Sequence, residues 1–81
     1  MASNTARLRF PSDFGLVLQQ ARLARGLSQS ELAAELDMPQ STISQLESGK
    51  STIFLRRLMA VAAATGVEFD ATWEDDDAPR S

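Results

Sequence analysis

The stretch QSTISQLE, residues 40–47, holds the residues best suited to chemistry with a partner. At helical spacing Gln40, Ser41, Ser44 and Gln45 share one face. All four are short, polar and uncharged. A Gln amide can pair bidentately with adenine, and a Ser hydroxyl can serve either kind of base. An ordinary solvated helix face has the same composition. The loop that follows, Ser48-Gly49-Lys50-Ser51, places a cation and hydroxyls where a phosphate could sit. What the chain lacks narrows the chemistry further. It has no histidine and no cysteine. The usual general base, the commonest metal ligand and the thiolate are therefore missing, which points away from an enzyme and from any cofactor or metal.

The elements around this face explain its placement. Ser28 can cap a helix, and Glu31 three residues later completes a capping box. Leu32, Ala33 and Leu36 then recur as an apolar stripe. Asp37 tolerates a left-handed backbone and can make a turn. Pro39 suits the start of a second helix. On that helix Ile43 and Leu46 are the only large apolar anchors, and small Ala33 permits a close crossing. Two short helices across a tight turn, the second outwardly polar, form a helix-turn-helix with residues 40–47 as recognition helix.

The run from Gly15 to Gly66 resembles the Xre/Cro family, the lambda-repressor-like helix-turn-helix domains. The resemblance is carried by Gly15, Leu18, Arg22, Gly26-Leu27-Ser28-Gln29, Glu31-Leu32-Ala33, Ile43-Ser44, Leu46-Glu47 and Gly49-Lys50. Asp37 departs from the family's usual Gly. The resemblance implies a mainly α fold of four to five helices over residues 10–66. It implies double-stranded DNA as partner, with Gln40, Ser41, Ser44 and Gln45 at base edges. Gln29, Thr42, Lys50 and Ser51 would hold phosphates. It further implies that Arg22 pairs with Glu47, tying the first helix to the end of the recognition helix.

The flanking segments complete the reading. Ser12 or Asp13 can cap helix 1, whose stripe is Phe14, Val17, Leu18 and Ala21, with Gly26 as its stop. A fourth helix runs from about Thr52 to Ala64, with Phe54, Leu55, Leu58, Val61, Met59 and Ala62 as a wide apolar face. Residues 1–9 read as a flexible arm in which Arg7 and Arg9 could touch DNA. Residues 67–74 alternate strictly, with Val67, Phe69, Ala71 and Trp73 on one side. That is a half-buried strand where the family usually starts a fifth helix. A lone strand needs a partner, and the same strand of a second copy is the simplest one, so these four residues are expected at a homodimer interface. Residues 75–81 read as a disordered acidic tail.

A C-terminal strand of this kind resembles the HipB-type antitoxin branch. It implies a dimeric repressor of its own operon that acts on an inverted-repeat operator and pairs with a HipA-like kinase toxin. A stand-alone repressor or restriction-system controller, and a protein-binding adaptor without DNA contact, are the alternatives. Net charge is −3, yet residues 1–67 carry seven bases against five acids, while residues 68–81 carry six acids and one Arg. The acid is thus concentrated outside the DNA-binding segment. No apolar run approaches the roughly 20 residues that span a bilayer, and a cytoplasmic, nucleoid-associated protein is expected.

Overall fold

Six elements follow one another in the computed structural model, which describes residues 2–75: β1 (Ala2–Leu8), α1 (Pro11–Ala24), α2 (Gln29–Leu36), α3 (Gln40–Glu47), α4 (Ile53–Thr65) and β2 (Phe69–Asp75). The mainly helical fold and its C-terminal strand agree with the sequence reading. Among the described residues there are four helices, without a fifth, and no helix is long and apolar enough to cross a membrane.

Local chemistry sets the helix ends. Helix α1 begins at Pro11, one of the few places where a missing N–H costs nothing. Its cap comes from within: the Asp13 carboxylate accepts the backbone N–H groups of Arg9 at 2.7 Å and Phe10 at 2.9 Å. Ser12 takes no part in this cap. For α2 the capping box is formed, with Ser28 Oγ accepting from the Glu31 N–H at 3.0 Å and Glu31 Oε1 accepting from the Ser28 N–H at 2.8 Å. Asp37 closes α2 in the left-handed region at φ 56°, ψ 47°. Thr52 Oγ1 caps α4, and Gly66 ends it at φ 79°.

The N-terminal segment departs from expectation. Residues 2–8 are not a loose arm but a strand, β1, paired antiparallel with β2. The register sets Leu8 opposite Phe69, Ala6 opposite Ala71, and Asn4 opposite Trp73. Burial alternates along both strands, so these six residues face inward and the residues between them face out. Strand β2 therefore finds its partner in its own chain, and a second copy is not required to satisfy it. Val67, expected within the strand, precedes it and is exposed. Arg7, on the outer side, forms ion pairs with Asp70 at 2.6 Å and with Glu68. Of the expected acidic tail, Asp75 belongs to β2 and residues 76–81 lie outside the described residues.

The core is small. Leu8, Ala33, Ile43, Met59 and Ala62 are its buried apolar members, and no large side chain is fully enclosed. The expected apolar stripes are only partly covered. Leu18, Leu36 and Leu46 are each about half exposed, and Phe54, Leu58 and Val61 face solvent along α4. Periodicity identifies an apolar face, but whether another element lies over it is a tertiary matter.

Candidate nucleic-acid interface

The recognition helix is held from behind by an ion pair. Arg22, near the end of α1, donates from Nε to Glu47 Oε2 at 2.6 Å and from Nη2 to Glu47 Oε1 at 2.9 Å. Its Nη1 donates to the Leu27 carbonyl at 2.7 Å. The pair is buried, with side-chain exposures of 8% and 4%. The Arg22 hydrogen bonds hold the Glu47 carboxyl below its ordinary value against the opposing effect of burial, and the Gln29 amide adds to the lowering. The same pairing raises Arg22. Three elements thus meet at one carboxylate: α1 through Arg22, α2 through Gln29, and α3 through Glu47 itself.

Backbone contact fixes the same junction. Gly15 on α1 is buried, and a Cβ built there would lie 2.6 Å from the Leu46 carbonyl oxygen, 2.7 Å from that of Glu47 and 2.8 Å from the Gly49 nitrogen. Only a glycine allows α1 to lie this close to the end of α3.

A polar relay leads from the buried pair to the surface. Gln29, the first residue of α2, donates from Nε2 to Glu47 Oε1 at 3.1 Å. Its own Oε1 accepts from Gln40 Nε2, on the first residue of α3, at 2.6 Å. Gln40 therefore has its amide orientation set. It still has one N–H and its carbonyl oxygen available, which are the donor and acceptor that a bidentate contact with adenine uses. Ser41, Ser44 and Gln45 are exposed beside it, opposite the inward-facing Ile43. The structure brings these four together on one outward face of α3.

The residues assigned to phosphate are more dispersed. Gln29 stands at the N-terminus of α2, where Ser28 takes the Glu31 N–H and the first N–H groups have no intrahelical acceptor. Such a terminus favours an anion. Thr42 is half-buried on the flank of α3, and Lys50 is exposed in the loop beyond it. Ser51 is partly committed, since its Oγ accepts from Arg56 Nη1 at 3.1 Å. Sequence reasoning did not identify the Gln29–Gln40 bond, which joins residues eleven apart across the turn, nor the reason for Gly15.

Comparison with known families decides what this arrangement is. The sequence model of the helix-turn-helix family, of the Xre/Cro-like kind, matches residues 18–71, more than half of the chain. The chain belongs to this family. It is a DNA-binding helix-turn-helix regulator, in a family whose members are typically non-enzymatic. Searches of curated proteins and of solved structures gave no match. In this helix-turn-helix regulator the matched region includes α2, the Asp37 turn and α3, so the relay from Glu47 to Gln40 lies inside it.

Proposed function

We propose that the protein is a sequence-specific transcriptional repressor that binds an inverted-repeat operator as a homodimer. The observation that carries the reading is the Gln40 amide, fixed by Gln29 at the start of an uncharged polar helix face. Gln40, Ser41, Ser44 and Gln45 read bases. Gln29, Thr42, Lys50 and Ser51 hold the backbone. Two copies about a two-fold axis present two such helices to half-sites about 34–36 Å apart.

The two classes of residue respond differently to substitution. Gln40→Ala costs roughly 1–3 kcal/mol on the cognate site and little on random duplex. Lys50→Ala weakens both alike and lowers the salt slope by about one for each phosphate it no longer neutralises. The measurement is affinity for operator and scrambled duplexes across a salt series, after the operator is selected from random DNA. Equal losses for Gln40→Ala on both duplexes would sink base reading by α3 and favour an adaptor that has kept the fold without DNA contact.

A narrower assignment belongs to the same reading. The strand that follows α4, in place of the family's usual fifth helix, supports an antitoxin that partners a HipA-type kinase and represses its own operon. Co-purification with the product of an adjoining kinase gene tests it, and a chain that recovers DNA but never the kinase stands as a repressor alone.

A further inference from the structure

Two apolar surfaces of this chain lack a cover, and each suits the other. The first is the outer side of α4, where Phe54 is 76% exposed and Val61 62%. The second is a groove of about 260 Å³ among α1, α2 and α3, walled by Leu18, Leu27, Leu36, Met38 and Leu46. Its volume falls short of the roughly 300–1,000 Å³ of small-molecule sites. The Arg22–Glu47 pair on its wall already neutralises itself through two hydrogen bonds. The groove is therefore built for apolar side chains. Helix α4 carries Arg56 and Arg57 and no acid, while on the groove side Arg25 lines the wall and pairs with Glu35 at 3.4 Å, and Asp37 follows directly on the lining residue Leu36.

The two surfaces do not meet within one chain. Helix α4 approaches α1 over a short stretch and stands almost clear of α2 and α3. The molecule is accordingly long and thin, 47 × 29 × 16 Å, with a radius of gyration of 14.3 Å. A compact chain of this length has about 12 Å. It exposes 5857 Å², where a compact monomer of its mass exposes about 4,800 Å². The excess is roughly 1,000 Å² per chain, and a standard interface takes about 800 Å² from each partner.

We propose that the groove receives α4 of a second copy, and that the exchange is reciprocal about a two-fold axis. This rests on the dimeric reading above and assigns its interface. Phe54 and Val61 enter the groove of the partner. Reciprocity closes the assembly at two chains, because each copy offers one helix and one groove.

The chain has no cysteine, so a single introduced one is a unique handle. Full-length Phe54→Cys and Met38→Cys chains are mixed and treated with a short bis-maleimide. A covalent dimer forms in the mixture and far less in either variant alone. Efficient linkage of Phe54→Cys to itself overturns the proposal in favour of α4 against α4. A dimer by light scattering without linkage in the mixture also overturns it, while leaving the dimeric reading intact. A monomer at tens of micromolar overturns both. In a single chain carrying both cysteines, a linked monomer at high dilution means that α4 closes on its own groove, and the proposal fails. Substitution gives a second readout. Phe54→Asp and Leu36→Asp each raise the dimer dissociation constant about a hundredfold, with helical circular dichroism retained. Mixing the two variants recovers a heterodimer, since one intact helix and one intact groove remain. A Leu36→Asp chain that dimerises normally refutes the seat.

Discussion

Glu47 accepts three hydrogen bonds at its carboxylate, two from Arg22 and one from Gln29. Removal leaves Arg22 buried without its counter-charge, so Glu47→Ala lowers stability by roughly 3–5 kcal/mol. Chemical denaturation measures it, and a loss below about 1 kcal/mol would mean an effectively exposed pair. The pH dependence follows from the lowered carboxyl of Glu47. Its contribution is fully present above the ordinary carboxylate value of about 4.3 and is lost as pH falls through the lower folded-state value. Glu47→Gln therefore flattens the acid limb of the stability profile. An unchanged acid limb would count against this linkage. Glu31 is held low in the same direction by the Ser28 backbone N–H, but it is solvated, and its role is to fix the start of α2.

Helix α1 and helix α3 are joined at Gly15, and the approach leaves no room for a methyl group. Gly15→Ala forces the end of α3 outward against its backbone and costs roughly 1–3 kcal/mol. It also tilts the polar face, so operator affinity falls more than thermal stability alone explains. Wild-type affinity in the folded variant would show that α3 tolerates the shift. Much at this scale was legible in the sequence. The Ser28–Glu31 box and the left-handed Asp37 are local rules satisfied by residues a few positions apart. The polar face of α3 was legible for the same reason. Strand β1 was not, because Ala2, Asn4 and Ala6 lack the large or β-branched groups that announce a strand. Its partner also lies far along the chain. Nor could periodicity show that half of the apolar face of α4 is uncovered, or that Gln29 reaches across the turn to Gln40.

At the scale of the molecule, the first and last described segments clasp each other while the helices hang between them. The β1–β2 pairing spans nearly the whole described chain, so it closes the largest loop and is the contact expected to form last. Its register has a mechanical consequence. Ala2 faces Asp75 at one edge of the ladder, and Leu8 faces Phe69 at the other. Because the strands are antiparallel, their hydrogen bonds run across the pair. Tension applied at positions 2 and 75 therefore loads those bonds one after another, as in a zipper, and never shears them together. In an optical trap with handles at these two positions, the sheet should peel at low force in a separate early step, before the helices yield. A single rip that takes sheet and helices at once would contradict this. The clasp is thus weak to a pull, and force at that one edge would free α4 from the strand that follows it while leaving the Arg22–Glu47 junction behind α3 untouched.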